Sequence, residues 1–143
     1  VDEESSLTDG LLVIYADGGS RGNPGPAGAG AHLTVDGRIV AQLSKFIGVA
    51  TNNVAEYTGL LIGLEKALEM GYKRVEVRMD SELIVKQMIG VYKVKNENLQ
   101  TLFRKADTLA TRFSEFKIVH VRRAYNKDAD RLANQAMDLA AQT

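Results

Sequence analysis

The stretch Leu11-Leu12-Val13-Ile14-Tyr15-Ala16-Asp17 runs straight into Gly18-Gly19-Ser20-Arg21-Gly22-Asn23-Pro24-Gly25-Pro26. An apolar run ends on a single carboxylate, and the chain then breaks into a turn rich in Gly and Pro. Short apolar runs bounded by such signals read as buried strands, which places Asp17 where the strand leaves the core. An acid there is held by a rigid element and still faces solvent, which suits a metal ligand or a general base. It suits a plain turn former equally well. The rest of the chain decides between the two.

Beyond the turn, Ala29, Ala31, Leu33 and Val35 alternate with Gly30, His32 and Thr34, the period of a second strand. Asp36-Gly37 is a two-residue hairpin signal, and Arg38 to Ile47 supplies the returning strand. Thr51-Asn52-Asn53 offers side chains that cap a helix, and Tyr57, Leu60, Leu61, Leu64 and Leu68 then recur at helical spacing up to Gly71. Lys73 to Met79 alternates again and ends on Asp80-Ser81, followed by a short helix over Ser81 to Ile89. Glu97 to Phe113 carries a long apolar stripe, and Phe116 to Val121 forms a last strand. Asn126 caps a final helix whose inner face is Ala129, Leu132, Ala133, Ala136 and Ala140.

The order is therefore β-β-β-α-β-α-α-β-α. A hairpin-built start followed by βα crossovers predicts one α/β domain over residues 11–141. Its mixed sheet has five strands, an antiparallel meander plus parallel strands, with helices on both faces. The first 10 residues, acidic and polar, are read as a flexible lead-in.

The chain has 143 residues, enough to bury a real core, and no cysteine, which excludes disulfides, thiolate metal sites and thiol nucleophiles. The lack of cysteine fits a cytoplasmic location. No run is apolar enough to span a bilayer, and a monomer is expected. Eighteen basic and eighteen acidic side chains leave a formal net charge of zero, so nucleic-acid binding would have to rest on segregated charge.

Acids recur at element ends. Asp17 ends the first strand and Asp80 the fourth; Glu56 and Asp130 fall in the first turns of the long helix and the last helix. If the first and fourth strands are parallel neighbours, Asp17 and Asp80 emerge at one edge, where sites of open α/β sheets collect. Clustered carboxylates raise one another's pKa unless a cation sits between them, and hard divalent ions with oxygen ligands, Mg²⁺ or Mn²⁺, answer that need. The bland alternative is four acids serving as caps and turn residues. The Gly-rich turn itself is no nucleotide cradle: it lacks the G-K-[ST] ending of a P-loop, and a strand follows it.

The neighbours of these acids carry a resemblance. Tyr15-Ala16-Asp17-Gly18-Gly19-Ser20-Arg21-Gly22-Asn23-Pro24-Gly25-Pro26-Ala27-Gly28 resembles the D-G-(G)-S-x-G-N-P-G-x-x-G opening of type 1 ribonuclease H. Thr51-Asn52-Asn53-Val54-Ala55-Glu56 is similar to that family's T-N-N-x-x-E, Asp80-Ser81 to its D-S, and Asn126 to Asn134 to its N-x-x-A-D-x-L-A. All occur in the family's order and cover nearly the whole of residues 11–141. The T-N-N and N-P-G segments separate it from integrases and resolvases, which reuse the acids but not these neighbours.

The resemblance implies a ribonuclease H-like fold and a metal-dependent endonuclease that cuts the RNA strand of an RNA–DNA hybrid, leaving 5′-phosphate and 3′-hydroxyl ends. Asp17, Glu56, Asp80 and Asp130 would hold two Mg²⁺ ions, with Mn²⁺ as a substitute. Gly18, Asn23, Asn52 and Asn53 would face the hybrid's minor groove, where 2′-hydroxyls distinguish RNA from DNA. Asn23 and Thr51 match positions that hold a DNA-strand phosphate, and Ser81 joins the substrate contacts. Double-stranded RNA stays open as a second substrate.

Two departures stand out. Many members carry a His-rich loop before the last helix; here residues 121–126 contain no His, and Arg122 or Arg123 is the candidate electrostatic helper. His32 and His120 are read as packing residues. The basic helix and loop that grips DNA in some members is reduced to Tyr92, Lys93, Lys95 and Asn96. Lys93 and Lys95, with Lys86, Arg104 and Lys105, are the candidate backbone contacts.

Overall fold

In the computed structural model, which describes residues 8–142, the expected element order is present. Strands β1 (Leu11–Ser20), β2 (Gly25–Val35) and β3 (Arg38–Ala50) form the meander; helix α1 (Asn52–Glu69) leads to β4 (Arg74–Met79). Helices α2 (Glu82–Met88) and α3 (Glu97–Ala110) precede β5 (Glu115–His120), and a single 3₁₀ turn (Arg123–Tyr125) leads into α4 (Lys127–Ala141). The sheet order is β3-β2-β1-β4-β5, with β1 antiparallel to β2 and parallel to β4. The lead-in predicted over the first 10 residues lies mostly outside the described part, which begins at Thr8.

One face of the sheet holds the main core. Leu12, Ile14 and Ala16 of β1, Ala31 and Leu33 of β2, and Val75, Val77 and Met79 of β4 pack against Tyr57, Leu60 and Leu64 of α1 and Leu99 and Ala106 of α3. Buried Tyr57 satisfies its hydroxyl by donating to Gln87 Oε1 at 2.6 Å. Helix α4 covers the opposite face over β2, and two glycines set how closely it lies. A Cβ on Gly30 would fall 2.4 Å from the Ala129 carbonyl oxygen, and one on Gly28 2.5 Å from that of Ala133. Helix α1 lies just as tightly on β1: a Cβ on Gly59 would fall 2.3 Å from the Asp17 carbonyl oxygen, and one on Gly18 2.1 Å from that of Ala55.

Asp36 and Gly37 both take positive φ, 50° and 77°, as a tight hairpin turn demands. The first strand does not stop at Asp17, however. It runs on to Ser20, with Gly18, Gly19 and Ser20 opposite Ala29, Gly28 and Ala27. Strand β2 accordingly starts at Gly25, and β3 continues to Ala50 beyond a register shift at Ala27/Gly28. Strand propensity disfavours Gly and Pro, but the antiparallel pairing of residues 18–20 with β2 and of residues 25–28 with β3, together with close cover of Gly18 by α1 and Gly28 by α4, holds these small residues in the sheet. His32 is a packing residue as expected: 5% exposed, bonded to Gln42 at 3.0 Å and beside the Tyr15 ring. His120 is not. It is exposed at the last position of β5, the edge strand of the sheet.

Candidate active site

The parallel ladder of β1 and β4 ends at Ala16 opposite Met79. Asp17 and Asp80 are the next residues on each strand, so the two acids leave the ladder side by side. Glu56 lies not in the first turn of α1, as its spacing suggests, but just beyond it, because the helix begins at Asn52; its backbone is held against Gly18 by the close contact described above. Asp130 comes from the first turn of α4. All of these acids line one cavity of about 420 Å³, with Gly18, Gly19, Ser20, Asn52 and Arg123. Among the described residues, no three acidic or histidine side chains are arranged as a ready-formed metal site. The carboxylates form instead the walls of an open pocket.

Their electrostatics are those of charges short of a counter-ion. Burial, then the charge of Asp80, pushes Asp17 up to about 8, against a hydrogen bond of 2.8 Å from the Gly18 N–H; Asp130 adds charge and a shared hydrogen bond. Burial pushes Glu56 up to about 7, the Asp80 charge adding to it and a hydrogen bond from Ser81 opposing it. Arg123 Nη2 stands 3.8 Å from Asp130 Oδ1, but its side chain is 80% exposed and offsets little. An all-oxygen donor set that resists ionisation in this way fits a hard divalent cation.

One buried side chain ties the acid-bearing elements together. Asn126 was expected to cap α4; it occupies the N-cap position but makes no side-chain cap bond. It is 1% exposed and donates its Nδ2 to the Ala16 carbonyl at 3.0 Å and to Asp80 Oδ1 at 2.7 Å. Two acceptors on one side fix the amide's orientation, leaving Oδ1 buried without a protein donor. A single amide thus joins the end of β1, the acid of β4 and the start of α4.

The expected substrate residues divide into two groups. The first is the turn and the head of α1. Thr51 caps α1 through Oγ1, accepting from Val54 N at 3.3 Å. Asn52 Oδ1 accepts from Ser20 N at 2.9 Å, while Asn52 N donates to Asn23 Oδ1 at 3.1 Å. Asn23 and Asn52 are therefore joined, and of this group Asn52 lines the pocket of the acids, whereas Thr51 borders a neighbouring groove with Pro24 and Asn98 and Asn53 is half-buried in the first turn of α1; Ser81 caps α2 next to Asp80. The second group is outside the pocket. Lys93 and Lys95 are exposed on the loop between α2 and α3, and Arg122 is exposed but does not line the pocket as Arg123 does. Lys86 pairs with Glu82 and Tyr92, and Arg104 and Lys105 border a shallow groove beside Glu65. Residue-by-residue reading missed Arg21 and Asn134, which line the far end of the cavity.

An edge of parallel strands crowned by acids from several elements is the arrangement of an α/β protein whose ligand site lies at the carboxyl ends of its strands. A family model described as reverse transcriptase-like matches residues 15–136. Ribonuclease H of Thiobacillus denitrificans is 31% identical over 153 residues, covering 95% of this chain and 99% of that one. Ribonuclease HI of Halobacterium salinarum is 45% identical over 90% of this chain and 65% of its own length. Three mycobacterial relatives are 52% identical over 92% of this chain, which spans only 37% of their length.

Among solved structures, the N-terminal ribonuclease H domain of a Mycobacterium tuberculosis protein superposes with a TM-score of 0.90 at 50% identity, over 94% of this chain and 98% of that one. LC11 ribonuclease H1 in complex with an RNA/DNA hybrid superposes with a TM-score of 0.87 at 47% identity, over 91% and 99%. The chain belongs to the ribonuclease H family.

Among the described residues, no helix is long and apolar enough to cross a membrane.

Proposed function

We propose that this chain is a metal-dependent endonuclease that hydrolyses the RNA strand of RNA–DNA hybrids. The observation that carries the reading is the gathering of Asp17, Glu56, Asp80 and Asp130 in one pocket, two of them with raised pKa. A relative of 47% identity has been solved with such a hybrid bound. Asp17, Glu56, Asp80 and Asp130 are the groups to hold two Mg²⁺ ions, or Mn²⁺ in their place. Such a pair supplies an activated water and neutralises charge on the leaving oxygen. Attack by water with the ribose 3′-oxygen as the leaving group would give a 5′-phosphate and a 3′-hydroxyl.

The chain's own residues do the rest. Asp80 is oriented by Asn126, and Glu56 by Ser81. Gly18, Asn23, Asn52 and Asn53 present backbone and amide groups to the minor groove, where the 2′-hydroxyls of the RNA strand are read. Thr51 sits with Asn23 to hold a phosphate of the DNA strand. Arg123, on the pocket wall, supplies positive charge beside the leaving phosphate in place of a loop His. Lys93 and Lys95 give a weak, salt-sensitive grip on the backbone.

The test is a labelled RNA–DNA hybrid, a matched DNA duplex and an RNA duplex, each with Mg²⁺, Mn²⁺ or chelator. Cleavage of the RNA strand of the hybrid with metal, and none with chelator, is expected. Survival of the hybrid with both metals would sink the reading, and cleavage of the RNA duplex would add a second substrate. Asp17→Asn is expected to remain folded and to cut almost nothing.

A further inference from the structure

We propose that Arg21 is a second phosphate-binding residue for the RNA strand, held in reserve by Asp138; the proposal rests on the hybrid-nuclease reading and deepens it. The cavity is longer than one phosphodiester requires. Its α4 wall is Asp130, Ala133, Asn134 and Met137, one helical face that runs about 10 Å at 1.5 Å per residue. The carboxylates occupy the first half of that length, so a strand cut there must continue along the second half. Arg21 is the cation that lines this far half, as Arg123 is at the acid end.

Arg21 is also free to change partners without moving its anchor. Its N–H donates to the Pro26 carbonyl at 2.8 Å, closing the turn, and Ser20 before it is bonded to Asn52. The guanidinium alone reaches across to α4, where Nη2 meets Asp138 Oδ1 at 2.5 Å. Both side chains are largely in water, 44% and 59% exposed, so the pair is screened and easily exchanged. A phosphate offers the same forked acceptor geometry with more charge, the match for which Arg is best suited. Asp138 thus stands where a phosphate oxygen would stand, and competes with it.

This arrangement makes a prediction that an ordinary structural ion pair does not. If the pair merely braced the turn against α4, removing either partner would have the same effect. If Asp138 competes with the RNA phosphate, the two removals have opposite effects. Steady-state cleavage of the hybrid is measured with Mg²⁺ for the wild type, Arg21→Ala, Arg21→Lys, Asp138→Asn and the double variant, across a salt series.

Arg21→Ala is expected to raise KM roughly threefold, more than it lowers kcat, and to reduce the slope of log KM against log salt by about one. Arg21→Lys recovers part of this, since it keeps the charge and loses the fork. Asp138→Asn lowers KM, and the double variant behaves as Arg21→Ala. Equal shifts of KM in the same direction for Arg21→Ala and Asp138→Asn, or an unchanged salt slope in Arg21→Ala, would overturn the proposal while a cutting wild type leaves the nuclease reading intact. A wild type that cuts no hybrid overturns both.

Discussion

Helices α1 and α4 do the same job on opposite faces of one sheet, and they do it differently at their first residues. Each is drawn onto a strand by small residues, α1 by Gly18 and Gly59, α4 by Gly28 and Gly30, and each delivers one carboxylate, Glu56 or Asp130, to the same edge. Thr51 at the head of α1 spends its side chain on its own helix. Asn126 at the head of α4 leaves its helix uncapped and spends its amide on Ala16 and Asp80. The first helix is thus anchored by local chemistry, the second by a buried bond to residues far away in the chain. What distinguishes a stabilising cap from an organising one is the partner, not the residue type.

Breaking the close contacts should have the largest effect. Gly59→Ala in an open helix would stabilise by about 1 kcal/mol through propensity. Here the new Cβ meets the Asp17 backbone, and a net loss of about 2–3 kcal/mol is expected from urea unfolding, as it is for Gly30→Ala against α4. A stabilised Gly59→Ala would show the helix is free to lift. Next is Asn126→Ala, expected to cost about 2 kcal/mol and to slow turnover at least about tenfold, because the Ala16 carbonyl and Asp80 lose their donor inside the protein. Thr51→Ala should cost only about 1 kcal/mol, the ordinary worth of a cap. If Asn126→Ala and Thr51→Ala matched in stability and in turnover, the contrast between the two helix heads would collapse.

The last effect is one of pH. Asp17, near 4 in the unfolded chain and about 8 in the fold, binds its proton more tightly when folded. Stability from that proton is complete below about pH 4 and is lost as pH rises through about 8. Glu56 adds to this over the range up to about 7. Metal-free protein should therefore lose Tm between pH 5.5 and 8.5, and Mg²⁺ should restore more at pH 8.5 than at pH 5.5. An equal Mg²⁺ effect at both values would mean the acids do not share the ion.

Legibility in the sequence followed the range of the interaction. Hydrophobic period and the Asp36-Gly37 turn carry local information, and they yielded the order of the elements and their layers. The acids were readable because each sits at an element end that local signals locate. Residues 18–20 and 25–28 were not readable as strand, since their pairing is decided by neighbours rather than by propensity. Asn126 was found at the right position with the wrong partner, because Ala16 lies 110 residues away. Arg21 and Asp138 are 117 residues apart, and no local pattern links them. His120 shares the parity of buried Ile118 along β5, which suggests burial; it is exposed as the last residue of an edge strand.

The acids of the pocket come from β1, α1, β4 and α4, so no part of the chain holds a working set. Asp130 arrives on the last of the described helices, and its seat on Gly28 and Gly30 needs the meander already formed. During synthesis the proposed site therefore stays incomplete until α4 has been made and the sheet has closed. Activity should consequently vanish at the same denaturant midpoint as the fold, and a truncated product that lacks α4 would be inert toward the nucleic acids around it.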